Sequence, residues 1–221
     1  MPNPVALQHG VYYHMFNRGN NRENVFIEER NYRHFLQLYA KYVEPVADTY
    51  AYCLLRNHFH LLVRVKTEQE QTPQTFGVQN QTPKVASPAQ TFGVGKQTPK
   101  VLSPSQQFSN CFNAYAKAIN KAYGRTESLF ERPFGRIPVT SNAYFAQLVV
   151  YTHHNPEKHG LVDDFRDWPH SSYHALVSDK RTHLKRDDVL DWFGGSPGLA
   201  RLHEAELAEG KLAPLLLEDF D

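Results

Sequence analysis

Cysteine is nearly absent from this chain of 221 residues: Cys53 and Cys111 are the only two. Two thiols build neither a disulfide framework nor a Cys-rich zinc site, and their scarcity fits a reducing compartment where both serve as small buried apolar residues. Long apolar runs are missing as well. None approaches the ~18 residues of a membrane span, and the opening MPNPVALQHG lacks the basic-then-apolar order of a secretion signal. The expected location is cytoplasmic, with no membrane partner. Charge of one sign is also lacking. Lys and Arg number 24 against 23 Asp and Glu, a formal net charge of +1. That excludes coating duplex nucleic acid by bulk positive charge and leaves room for a local basic groove.

What is present describes a folded protein. Hydrophobic residues make up 41% and aromatics 13%, while a mean hydropathy of -0.56 requires a sizeable polar portion somewhere in the chain. The length suits one main core plus an embellishment. VYYHMFN (11–17) is aromatic and β-prone and gives way to the loop-forming RGNNREN. From Glu28 to Glu44, Phe35, Leu38, Tyr39 and Tyr42 recur at helical spacing until Pro45. TYAYCLL (49–55) and HFHLLVRV (58–65), joined by a tight RN step, read as a β-hairpin. Residues 105–124 return to helical periodicity through Phe108, Phe112, Tyr115, Ala116 and Ile119 and end at Gly124. ESLFERPFGRIPV reads as a last strand or a pair of short ones. A further helix from Asn142 to His154 should stop at Asn155-Pro156.

Between hairpin and second helix lies a stretch of another kind. QTFGV occurs at 74–78 and 90–94, and QTPKV at 81–85 and 97–101. The unit is too short and polar to bury a core of its own, so 67–104 is expected to be a disordered repeat insertion. Residues 1–66 and 105–175 then form a single domain, and 176–221 an accessory helical segment. Strand, helix, strand, strand, helix, strand, helix is the order of an α+β fold. Its simplest arrangement is a ferredoxin-like antiparallel sheet with helices packed on one face.

The hairpin carries the first chemical signal. Side chains alternate along a strand, so His58 and His60 share one face while Phe59, Leu61, Val63 and Val65 share the other. The apolar set buries itself without either imidazole, and the pair can grip one divalent ion if another element supplies a further ligand. An ordinary hydrogen-bonded pair in a hairpin is the bland alternative. The later helix adds a second signal: Tyr151 and Asn155 stand at i and i+4 on one face, roughly across from Phe145, Leu148 and Val149, so that face is expected to overlook the sheet edge. A tyrosine hydroxyl, with a pKa of about 10, is a poor nucleophile unless its target is polarised. In a chain with 12 tyrosines it can equally be one more core aromatic.

YYHMFNRGNNRENVF, AYCLLRNHFHLLV, SLFERPFGRIPV, YTHHNPEKHGLV and WPHSSY, in this order over residues 10–175, resemble the REP-associated tyrosine transposases, single-tyrosine members of the HUH endonucleases. The resemblance implies an HUH core that cuts and rejoins single-stranded DNA with Mg²⁺ or Mn²⁺ through a covalent 5′-phosphotyrosine. It implies His58 and His60 as metal ligands with Asn155 beside them, Tyr151 as nucleophile, and a hairpin DNA as ligand. LRNH where PNH is commoner, and the long insertion, are departures from the pattern. For holding DNA, Asn17, Arg18 and Arg22 lie in or beside the first loop, where Gly19 permits close backbone approach. Lys117, Lys121, Arg125, Arg132 and Arg136 gather around the second helix and last strand. The protein is expected to act as a monomer or homodimer. Two other readings compete: a hairpin-DNA binder whose chemistry is dispensable, and a His-x-His metallohydrolase acting on a small molecule through activated water.

Overall fold

The structure, a computed structural model, describes residues 6–71 and 101–209, with side chains as far as 205. The QTFGV and QTPKV repeats fall almost wholly outside the described residues, as do 210–221. Four antiparallel strands, β1 (Tyr12–Arg18), β2 (Ala47–Leu54), β3 (His58–Val65) and β4 (Gly135–Pro138), form one sheet in the order β2-β3-β1-β4. Helix α1 (Glu29–Tyr42) connects β1 to β2. The single turn α2 (Glu68–Gln71) follows β3, and α3 (Pro104–Tyr123) precedes β4. This is the ferredoxin-like α+β arrangement read from the element order. The ends of the repeat segment lie together, since the Leu102 N–H donates to Gln71 Oε1 at 3.2 Å.

Local chemistry sets the helix limits. At the start of α1 the Asn31 Oδ1 accepts the N–H groups of Glu28 (2.8 Å) and Ile27 (2.9 Å), while the Glu28 carboxylate receives the Asn31 N–H. Helix α3 ends where Gly124 takes φ 64°. Phe35 and Tyr39 of α1 and Phe108, Phe112 and Tyr115 of α3 meet Phe59, Leu61, Val63 and Val65 of β3 on one face of the sheet. Both cysteines are fully buried. Burying each such aromatic or aliphatic side chain contributes roughly 1.5–3 kcal/mol.

Helices α1 and α3 therefore cover one face, and the opposite face is covered too. Helix α4 (Asn142–Lys158) lies across it, with α5 (Tyr173–Val177), α6 (Arg186–Phe193) and α7 (Ser196–Glu209) around it. Tyr50, Ala51 and Leu62 of the sheet pack there against Phe145, Leu148, Val149, Leu176, Val189 and Leu199. Residues 178–185, between α5 and α6, lie outside any helix. Helix α4 runs through Pro156 instead of stopping before it. A proline this near the end removes one ladder bond, and the last carbonyls are satisfied by His159 N–H to Asn155 (3.0 Å), Gly160 N–H to Glu157 (2.9 Å) and Leu161 N–H to Pro156 (2.8 Å). Of the stretch ESLFERPFGRIPV, only the four residues of β4 and an isolated bridge from Phe130 to Gly19 are strand.

A chain of hydrogen bonds ties α7 to α4 and the sheet. The Leu199 carbonyl can only accept, so His203 Nδ1 donates to it (2.8 Å), leaving His203 Nε2 to accept from His153 Nδ1 (2.8 Å). His153 Nε2 then accepts the Ser172 hydroxyl (2.7 Å), whose oxygen takes the Tyr52 N–H (2.9 Å). Both imidazoles must be neutral for this chain to close. The outer edge of β2 is also occupied: Leu54 N–H donates to His170, Ser172 N–H to Tyr52 and Lys185 N–H to Thr49, each at 2.9 Å. Among the described residues no helix is long and apolar enough to cross a membrane.

Candidate active site

Strand alternation carries His58 and His60 to the sheet face beneath α4, and the β1 register decides what stands beside them. Arg18 pairs with His58, Phe16 with His60 and His14 with Leu62, so His14 and His60 are diagonal neighbours on one face. His14 Nε2 and His60 Nδ1 share a hydrogen bond of 2.9 Å, and His58 Nδ1 lies 2.7 Å from Asn57 Oδ1. The rings of His58 and His60 are 5.1 Å apart and nearly perpendicular.

Helix α4 supplies the other half. The Tyr151 ring stands 5.6 Å from that of His60 and 6.2 Å from that of His14, edge-on to both. Lys158 Nζ lies 5.3 Å from the Tyr151 ring centre, and His159, just past the helix, packs against His58 at 4.8 Å. Asn155 turns its Nδ2 back to the Tyr151 carbonyl (2.8 Å), which fixes the amide and leaves Oδ1 buried without a partner among the described residues. The expectation that this helix face overlooks the sheet edge is corrected: Tyr151 is 1% exposed and Asn155 fully buried. The reason is the two-sided packing of α4, whose residues Leu148 to Pro156 are all buried between the sheet and the C-terminal helices.

Burial first, and then the positive charge of His159, Arg18 and Lys158, pushes the His58 imidazole down to about 3. Burial also holds His60 well below its ordinary value, helped by His58 and His14. Both rings are therefore neutral at physiological pH, the form that ligates a cation. Burial also lowers Lys158 and His159. His60 Nε2 and Asn155 Oδ1 are buried polar atoms with no hydrogen-bond partner among the described residues. Buried polar atoms of this kind call for a ligand, an ion or water, and imidazole nitrogens with an amide oxygen form a mixed set for a divalent cation, the oxygen suiting Mg²⁺ or Mn²⁺ and the imidazoles the softer transition metals. Among the described residues no three His, Cys, Asp or Glu side chains are grouped to hold a metal. A cation here would draw its third protein ligand from an amide.

The residues expected to hold DNA divide into groups. Arg18 shares the face of the two histidines. Asn17, one residue earlier, points to the other face and lines a groove of ≈ 770 Å³ with Lys117, Arg132, Arg136 and Phe134, between α3 and the segment leading into β4. Arg136 lays its guanidinium over the Phe134 ring at 4.2 Å and donates to Ser105 Oγ at 2.9 Å. Lys121 is exposed one turn past Lys117 and lies outside the groove lining. Arg22 is exposed in the 3-10 turn Asn20–Arg22, where it and Asn21 take φ of 61° and 54°, and Arg125 is engaged in an ion pair with Glu23. Gly19 is needed for space inside the protein: a Cβ there would sit 2.0 Å from the Glu23 carbonyl oxygen, so its close approach is to its own loop. Sequence reasoning missed His14, Asn57, Lys158 and His159. Period-2 spacing from Arg18 carried the signal for His14, and the seven-residue step from Tyr151 that for Lys158.

No family model matches the chain. A curated protein of Haemophilus influenzae, named for the REP-associated tyrosine transposases, is 26% identical over 154 residues, 69% of each chain. A solved structure described as a REP-associated tyrosine transposase bound to a REP hairpin superimposes with a TM-score of 0.52 at 17% identity, covering 81% of this chain and 86% of that one. At that identity the solved structure speaks for the fold, and the curated relative bears out the resemblance read from the sequence.

Proposed function

We propose that this chain binds hairpin DNA and cuts and rejoins it as a single-stranded DNA endonuclease and strand transferase, with Tyr151 as nucleophile. The observation that carries the reading is the meeting of Tyr151 with His60 on one sheet face, 5.6 Å ring to ring, with the unpartnered Asn155 Oδ1 one helical turn away. In the reaction Tyr151 Oη forms a bond to phosphorus while the bond from phosphorus to the 3′ oxygen breaks, leaving a 5′-phosphotyrosine and a free 3′ hydroxyl. The phenol loses a proton and the leaving oxygen gains one. Attack by that hydroxyl on the phosphotyrosine reverses the step and rejoins a strand.

His58, His60 and Asn155 would hold Mg²⁺ or Mn²⁺, which when bound polarises a phosphoryl oxygen and offsets charge on five-coordinate phosphorus. Arg18 and Lys158 bring positive charge to the same pocket for the scissile phosphate. Asn17, Lys117 and Arg136 line the groove on the other side of β1, where phosphates of the flanking strand would track, and Arg22 and Lys121 are exposed outside its lining. The nearly complete burial of Tyr151 favours one alternative, a hairpin-DNA binder that does no chemistry.

The test is to incubate the protein with Mn²⁺ and single-stranded hairpin DNA from the sequence flanking its own gene and to run a denaturing gel. A covalent protein-DNA band that disappears in Tyr151→Phe supports the reading. Tight binding with no band in any divalent metal leaves the binder.

A further inference from the structure

The two histidines offer a cation their Nε2 atoms only if each carries its single ring proton on Nδ1. From the hydrogen bonds around them the geometry points to Asn57 and His14 as positioning residues that set this tautomer, Asn57 for His58 and His14 for His60. The inference rests on the proposed metal-assisted reaction and deepens it.

For His58 the assignment follows from the partner. An amide oxygen has no proton to give, so the 2.7 Å contact between Asn57 Oδ1 and His58 Nδ1 requires Nδ1–H, and the lone pair remains on Nε2. For His60 the partner is a second imidazole, and the proton on the 2.9 Å line between His60 Nδ1 and His14 Nε2 can in principle belong to either ring. The surroundings decide. If His14 donated, His60 would bear its proton on Nε2, which is buried and meets no acceptor among the described residues. That N–H would also sit in a cationic neighbourhood, where Lys158 stands 5.3 Å from the adjoining Tyr151 ring centre and Arg18 pairs across the strands with His58. An outward lone pair is favoured in such a field and an outward N–H is opposed by it. His60 therefore donates to His14 and presents Nε2 bare.

Metal-binding histidines commonly hand their second N–H to a carboxylate or a backbone carbonyl, and loss of that partner typically lowers metal affinity by about 10–100-fold. Here a neutral imidazole from the adjacent strand fills the place. It fixes the ring without bringing a negative charge beside the incoming phosphate. Asn155 follows the same logic on the helix, since its bond to the Tyr151 carbonyl occupies Nδ2 and leaves Oδ1 as the atom available to accept.

Two-bond ¹⁵N–¹H correlation spectra of the metal-free protein read the tautomers directly. Both His58 and His60 should show a protonated Nδ1 and a bare Nε2. In His14→Phe, which keeps an aromatic ring in the layer, His60 should become a mixture of tautomers, and Mn²⁺ affinity measured by water-proton relaxation should fall about 10–100-fold. His14→Gln, which restores an acceptor, should recover most of it, and hairpin binding should be unchanged in both variants. A protonated Nε2 on His60 in the unaltered protein, or a His14→Phe variant that binds Mn²⁺ as tightly as the parent, overturns the inference. Should the parent take up no Mn²⁺ at all, the proposed metal-assisted chemistry fails, while the metal-free spectra still decide the tautomers.

Discussion

Tyr151 meets His60 edge to face, the two rings inclined at 81°, and its own backbone carbonyl receives the side chain of Asn155. One helical turn thus links the proposed nucleophile to a proposed ligand through a hydrogen bond, so that a shift of one moves the other.

Tyr151→Phe is expected to abolish the covalent adduct and strand transfer while leaving hairpin affinity within about threefold. Removing one buried hydroxyl should change stability by no more than about 1 kcal/mol. Gel detection of the adduct, with a binding titration and a thermal melt on the same preparation, checks all three.

Lys117→Gln should weaken hairpin binding about equally for different loop sequences. It should also reduce the slope of log affinity against log salt by about 0.7, the value for one single-strand phosphate that the protein no longer neutralises. Titrations at several salt concentrations measure it. An unchanged slope would move the DNA path away from the α3 groove.

Acid should loosen the C-terminal helices. Burial pushes His203 down to about 4 and holds His153 well below its ordinary value. The folded state therefore refuses protons that the unfolded chain accepts below about 6.5. The stability they contribute is complete above that value and declines as pH falls toward 4, by about 1.4 kcal/mol per pH unit for each group. Urea unfolding between pH 4.5 and 7.5 should show the decline, and His203→Phe should be less stable at pH 7.5 and have a shallower pH dependence.

Gly19→Ala should cost about 1–3 kcal/mol, because its methyl group would collide with the Glu23 carbonyl and push the loop out. Arg18 and Arg22 flank that loop, so hairpin affinity should fall with stability. Thermal melts and binding titrations on the variant check the pairing of the two effects.

Replacing residues 72–100 by a short Gly/Ser linker should keep the melting temperature within a few degrees and retain hairpin binding, because Gln71 and Leu102 already meet at the boundaries of that segment. A collapse of the fold or a loss of binding would show that the repeats do more than connect.

The hairpin was legible from two β-prone runs around a tight turn, and periodicity gave α1 and α3 almost to the residue, because each has one apolar stripe facing one layer. It failed for α4. Phe145, Leu148 and Val149 looked like the buried side and Tyr151 with Asn155 like the open one, yet the C-terminal helices cover what the sheet does not. Burial by elements distant in sequence leaves no local mark. The pairing of His58 with His60 was legible from alternation alone. His14 was hidden, since a strand's own pattern does not say which strand lies beside it or in what register. Pro156 misled for a different reason: near the end of a helix a missing N–H removes a single bond.

The capped flank of β2 bears on how copies of this protein meet. Open sheets invite other chains to zip onto their rims, and here that rim is sealed by the chain's own 170–172 stretch and Lys185. The opposite rim is four residues long and ends in Pro138, which has no N–H to lend. Sheet-to-sheet stitching between molecules is thereby discouraged on both sides, which keeps crowded copies from fusing into fibres.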